Sequence, residues 1–175
     1  IDHMSQAVNE SSTETVLKIS NVWKIFGDKA NEALRAIKQE GLTKSQVLET
    51  YNAVVGVADV SFEVKKGEIF CVMGLSGSGK STLVRHFNRL LEPTAGEILI
   101  DGTDVMALGT KELQEFRNRK IGMVFQNFAL LPHRSVLDNV AMPLEIRKVN
   151  KNQRMRLAAD MHKTVERAEW SHKLA

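Results

Sequence analysis

No stretch of this chain restricts its possible folds more than Gly74-Leu75-Ser76-Gly77-Ser78-Gly79-Lys80-Ser81. It satisfies G-x-x-x-x-G-K-[ST], the pattern of a phosphate-cradling loop, at every fixed position. Its flanks agree with that reading. Before it, Glu68–Met73 is an almost continuous apolar run, Ile69-Phe70-Cys71-Val72-Met73. So short and uniform a run fits a strand buried on both faces, as parallel strands usually are. After it, the spacing predicts a helix over about Lys80–Leu91, with Leu83, Phe87, Leu90 and Leu91 facing the core. Cys71 is expected inside, as part of the strand.

The residue types suit a triphosphate. The ligand is large and highly charged, so the backbone has to wrap around it. Gly74, Gly77 and Gly79 permit close approach and dihedrals closed to other residues. The turn aims successive N–H groups inward as an anion nest, and the helix start adds its positive dipole end. Lys80 is expected to reach the β- and γ-phosphates, Ser81 to hold Mg²⁺ through its hydroxyl, and Thr82 to donate to a phosphate oxygen. Gly74 to Thr82, including Leu75, Ser76 and Ser78, are thus the expected ATP-binding residues.

With 175 residues the chain is long enough for a domain with a real core. A formal charge of +3 does not by itself point to nucleic acid or a membrane surface. The single cysteine excludes an intrachain disulfide. No apolar stretch approaches the length of a bilayer span, and no signal peptide is visible. Ile1-Asp2-His3 ahead of Met4 reads as a cloning scar, and residues 1–15 as a polar, disordered start.

Elsewhere, Val16–Ile25 alternates as a strand and is broken by Gly27-Asp28. Two helices come next, Ala30–Lys38 and a second opened by the capping-box pattern Thr43-Lys44-Ser45-Gln46 and running to about Asn52. The second is expected to line up Val47, Leu48 and Tyr51. Val54–Val64 reads as β-structure. Glu97–Ile100 and Thr103–Val105 form a hairpin around Asp101-Gly102. Lys111–Arg119 is a charged helix, Ile121–Phe125 a short apolar strand, and the chain is mostly helical from Val136. The charges of Lys148–Lys173 read as a solvated helix face. The histidines lack metal-ligand spacing, and Trp23 and Trp170 read as packing residues.

Several segments together resemble the nucleotide-binding subunit of ABC transporters. The loop wording Gly-Leu-Ser-Gly-Ser-Gly-Lys-Ser-Thr is common there. Pro93-Thr94-Ala95-Gly96-Glu97-Ile98 matches its P-T-x-G-x-I turn, and Ile121-Gly122-Met123-Val124-Phe125-Gln126 matches the strand ending in the Q-loop glutamine. Leu131-Pro132-His133 and Val136–Val140 fit the family's next segment. The chain looks most like the ATPases of bacterial glycine betaine/proline importers. The two-helix insertion of residues 28–52 and Arg85-His86-Phe87-Asn88-Arg89 carry that closer likeness.

The resemblance implies an α/β fold of the P-loop, ABC-ATPase type: a parallel core sheet, an antiparallel β-subdomain and, over 127–175, the start of a helical subdomain. It implies that Gln126 senses the γ-phosphate and Mg²⁺, that Lys80 and Gln126 serve catalysis, and that an aromatic near the end of the first strand stacks on adenine. Phe26 aligns best, with Tyr51 the alternative. Phe128–Ser135 would lie near the permease. Implied partners are a transmembrane permease, a second ATPase subunit and, indirectly, an extracytoplasmic substrate-binding protein, at the cytoplasmic face of the bacterial membrane. The family's signature, Walker B aspartate, adjoining glutamate and switch histidine are not found between Ile1 and Ala175. The expectation is therefore a chain that binds ATP, hydrolyses it little, leaves Ile69–Met73 without strand neighbours and self-associates. The alternatives are a non-hydrolysing regulatory module and a soluble ATPase of the same type acting on nucleic acid; the insertion and Phe128–Ser135 favour a transporter.

Overall fold

In the computed structural model, which describes residues 14–124 and 130–164, the chain divides into two compact units, residues 1–113 and 114–175. The first is built on strand β1 (Thr15–Phe26), which is hydrogen-bonded on both sides. Helices α1 (Ala30–Glu40) and α2 (Lys44–Tyr51) come next, then β2 (Val54–Lys65), α3 (Lys80–Phe87), β3 (Ala95–Ile100) and β4 (Thr103–Asp104); α4 (Thr110–Lys120) starts in the first unit, with most of its residues in the second. The sheet order is β2-β1-β3-β4, antiparallel throughout.

Local chemistry sets these boundaries. The Thr43 and Gln46 capping box forms as expected: the Thr43 N–H donates to Gln46 Oε1 at 2.8 Å, and the Gln46 N–H to Thr43 Oγ1 at 3.4 Å. Asp101 and Gly102 both take left-handed φ, 47° and 73°, as a two-residue hairpin turn of the primed type requires. β1 is irregular between Ser20 and Trp23, where Asn21 also has positive φ and donates through Nδ2 to Asp59 on β2 at 3.0 Å. Thr94 clasps β1 to the turn before β3. Its N–H donates to the Trp23 carbonyl at 2.7 Å, and its Oγ1 accepts from the Ile25 N–H at 2.9 Å.

The insertion helices give β1 one of its cores: Trp23, Ile25, Ala33, Leu34, Val47 and Ala53 form a buried cluster, with Ile37 and Tyr51 packed at its edge. Trp23 is thus a packing residue, as expected. Leu48 is not; it faces solvent.

Three further expectations fail. Glu68–Met73 forms no strand, and Ile69 and Met73 are 91% and 89% exposed; Cys71 is exposed as well. Among the described residues no strand lies beside this run. A strand apolar on both faces needs hydrogen-bonding neighbours and cover on each side. Phe70 does find a partner, stacking on Phe62 of β2 with ring centroids 4.5 Å apart. Ile121–Val124 is likewise outside any strand, with Val124 98% exposed. Third, α3 stops at Phe87 rather than Leu91, because Arg89 turns to φ 52°. The Arg89 guanidinium holds that turn by donating to the Leu108 carbonyl at 2.7 Å and pairing with Glu92 at 2.9 Å. Leu90 is consequently rotated to the surface.

In the second unit, Ser135 caps α5 (Val136–Ile146) by accepting from the Asp138 N–H at 3.1 Å. Buried Asn139 organises the loop before it. Its Oδ1 accepts from the Leu131 N–H at 2.8 Å, and its Nδ2 donates to the Leu131 and Ser135 carbonyls at 3.1 and 3.0 Å. Helix α6 (Lys151–Thr164) completes the unit's described elements. Residues 1–13 and Trp170 lie outside the described residues.

His86 on α3 is fully buried, and among the described residues neither ring nitrogen meets a partner in good hydrogen-bond geometry. Burial pushes its imidazole below the usual 6.5; the nearby Thr82 and Leu83 backbone groups oppose the shift without reversing it. A histidine depressed in the folded state takes up its proton more readily when unfolded. Its contribution is therefore complete above about pH 6.5 and is lost as pH falls toward the folded-state value. Urea midpoints are expected to drop between about pH 7.5 and 5.5, and to drop less in His86→Leu. An equal drop in the variant would contradict this assignment.

Candidate nucleotide-binding site

The loop between the apolar run and α3 has the geometry its glycines predict. Gly77 and Gly79 take φ of 77° and 91°. Gly79 is also the N-cap of α3, and the Leu83 N–H to Gly79 carbonyl bond of 2.8 Å is the helix's first. The N–H groups of Lys80, Ser81 and Thr82 therefore precede the intrahelical ladder and point from the helix start.

The Lys80 ammonium folds back over the loop. It donates to the carbonyls of Gly74 and Leu75 at 2.9 and 2.7 Å and lies 3.4 Å from Ser78 Oγ. Its position over the loop suits a group meant to meet an anion there. Space requires glycine at Gly79, which meets backbone, whereas at Gly74 the neighbour is a hydroxyl that can rotate away. A Cβ on Gly74 would stand 2.7 Å from Ser78 Oγ, and one on Gly79 would stand 2.2 Å from the Gly56 carbonyl oxygen. The loop is thus pressed against the backbone of β2.

That contact brings the end of β1 to the loop. Phe26, Val54, Val55 and Gly56 line one cavity of about 300 Å³ together with Gly77, Ser78, Gly79, Lys80, Ser81 and Thr82. Phe26 is 40% exposed, and the Lys24 ammonium sits 5.1 Å from its ring centroid. Tyr51, the other candidate aromatic, packs beside the insertion core and does not line this cavity. A second, more apolar cavity of about 510 Å³ is lined by Val57, Val60 and Phe62 of β2 and by the segment Phe70–Gly74.

Gly74, Leu75 and Ser76 belong to the same loop, but Leu75 and Ser76 face outward. Gln126 lies outside the described residues, as do Phe128 and Ala129, so the Q-loop expectation has no geometry attached to it. Among the described residues no cluster of three or more His, Cys, Asp or Glu side chains is arranged to hold a metal ion. The residues present fit a nucleotide with its magnesium: a glycine loop with left-handed Gly77 and Gly79 and no room for a Cβ at Gly79, a lysine over it, a hydroxyl at the helix start and an aromatic in the same cavity lining. Sequence reasoning does not single out Gly56. Its signal is a glycine inside a strand pattern, which often marks a close backbone approach.

Comparison with known proteins gives the family. A family model described as ABC transporter matches residues 57–175, and the chain belongs to that family. It is 48% identical over 156 residues to the glycine betaine/proline betaine transport system ATP-binding protein ProV of Escherichia coli, covering 89% of this chain and 39% of that protein. It is 46% identical over 153 residues to the trimethylamine N-oxide transport system ATP-binding protein TmoW of Pelagibacter ubique, covering 87% and 44% respectively. The chain therefore spans about two fifths of the length of these curated relatives. Among solved structures, the dimeric post-hydrolysis state of the ATP-binding cassette MJ0796 bound to ADP and Pi superposes with a TM-score of 0.69 at 28% identity, over 90% of this chain and 61% of that one. No described helix is long and apolar enough to cross a membrane.

Two glycine substitutions separate strain from site geometry. Gly67 has φ 77° and open space within 4 Å of where a Cβ would stand, whereas Gly79 has φ 91° and the Gly56 carbonyl at 2.2 Å. Gly79→Ala is expected to abolish binding of inorganic tripolyphosphate in calorimetry, and Gly67→Ala to leave it within about twofold while costing ~1–2 kcal/mol of stability. Equal loss in both would show that backbone strain alone decides.

Proposed function

We propose that this chain is the ATP-binding part of a subunit that powers import of glycine betaine, proline betaine or a related quaternary amine. The observation that carries the nucleotide reading is the shared cavity of Phe26 and Gly77–Thr82. Its lining joins an aromatic ring with a glycine loop, a lysine and two hydroxyl residues, the chemistry that the base and the phosphates of ATP call for. The substrate class is supported by the relatives, several of which bear names of betaine or trimethylamine N-oxide transport.

Within this reading each residue has a distinct task. The loop backbone of Gly74–Gly79 and the start of α3 surround the phosphates with N–H donors, and Lys80 leaves its own loop carbonyls to meet the β- and γ-phosphates. Ser81 and Gln126 would hold Mg²⁺, which would supply neutralisation of the phosphate charge. Thr82 donates to a phosphate oxygen. Phe26 stacks on the adenine, a contact worth roughly 1–3 kcal/mol by analogy with bases on aromatics. Hydrolysis also needs a residue that orients water; none of the described groups around this cavity has that role. The chain by itself is accordingly read as binding ATP with little turnover. Its partners are a permease, a second ATPase subunit and, through the permease, a substrate-binding protein, with the subunit peripheral at the cytoplasmic face.

Disruption of the gene in its host is expected to abolish uptake of labelled glycine betaine at high osmolarity. Restoring the wild-type gene should recover uptake, and restoring Lys80→Ala should not. Undiminished betaine uptake in the disrupted strain would refute the substrate assignment, and full recovery by Lys80→Ala would refute the role of the loop.

A further inference from the structure

Gly56 sits in the interior of β2, where glycine weakens a strand and needs a reason. A left-handed dihedral is not the reason, because Gly56 is absent from the residues with positive φ. Space is. A Cβ at this position would stand 2.6 Å from Cε2 and 3.3 Å from Cδ2 of the Phe26 ring, and 3.6 Å from the Lys24 carbonyl. Two of those three nearest atoms belong to one aromatic side chain. The ring therefore leans onto β2 into the space a side chain would occupy. The Lys24 ammonium, anchored to the Glu92 carbonyl at 2.8 Å, braces it 5.1 Å from its centroid. The carbonyl of the same Gly56 is the atom against which Gly79 of the phosphate loop is pressed.

We propose that Gly56 is a specificity-determining positioning residue. By lacking a side chain it sets the separation between the Phe26 ring and the phosphate loop to suit a nucleoside triphosphate, with the base on the ring and the phosphates in the loop. This rests on the nucleotide reading above and deepens it. Gly56 touches neither base nor phosphate in this scheme; it acts through Phe26. An alanine there turns the half-exposed ring away from β2 about its χ1 and χ2 torsions, because the ring edge is what the added methyl meets. The Gly56 carbonyl stays in place, so the loop keeps its support. The two halves of the ligand should therefore respond differently, which a merely structural role would not produce.

The test is calorimetric titration of MgATP and of inorganic tripolyphosphate into the intact protein and its Gly56→Ala, Phe26→Ala and doubly substituted variants. Gly56→Ala is expected to weaken MgATP about tenfold, the order a stacking aromatic contributes, and to leave tripolyphosphate unchanged. The double variant should bind MgATP no more weakly than Phe26→Ala, since without the ring the added methyl meets nothing. Equal weakening of both ligands by Gly56→Ala, or losses that multiply in the double variant, would overturn the proposal. A wild-type protein that binds tripolyphosphate but gains nothing from the base would overturn it too, while sparing the loop. Failure to bind either ligand would instead refute the nucleotide reading itself.

Discussion

Gly79 lies so close to the carbonyl of Gly56 that no side chain fits between them, and the candidate site depends on that backbone contact. It joins two pieces of structure with separate origins. One is the antiparallel sheet, held by β1 pairing on both edges and by Thr94 clasping the Trp23–Ile25 stretch. The other is the glycine loop and α3. Pressing one onto the other gives Phe26 and Lys80 a common cavity although 54 positions separate them in sequence.

The same molecule carries an unsatisfied demand. Ile69 and Met73 are almost wholly exposed, and the apolar cavity beside β2 is open. Burying a large aliphatic side chain is worth roughly 1.5–3 kcal/mol, so this segment holds a considerable unused driving force. The phosphate loop comes directly after it. Both ties that hold the loop run to β2: Gly79 against the Gly56 carbonyl, and Phe70, in the segment before the loop, stacking on Phe62. The loop thus inherits its order mainly from the antiparallel sheet.

Much of this was legible in the sequence because the signals were local. The Thr43/Gln46 capping box, the Asp101-Gly102 turn, the alternation of β1 and the loop motif each depend on residues a few positions apart, and each appears where its chemistry requires. What failed depended on partners. Ile69–Met73 and Ile121–Val124 have strand composition, but composition supplies no neighbouring strand. Leu90 departs from its expected core position because Arg89 leaves the helix to reach Leu108, nineteen residues away. Cys71 is exposed with the rest of its segment. In the site, the loop could be read residue by residue and Phe26 came from resemblance. Gly56 and Asn139 act through contacts across the fold that no short pattern displays.

The most direct measurement is calorimetric titration of MgATP into this chain beside Lys80→Ala, with phosphate release monitored in the same samples. Saturable binding that Lys80→Ala abolishes, with little phosphate released, is the expected result. Absence of binding in the wild-type chain, or equal binding in Lys80→Ala, would contradict the assignment of this loop and cavity to a nucleotide.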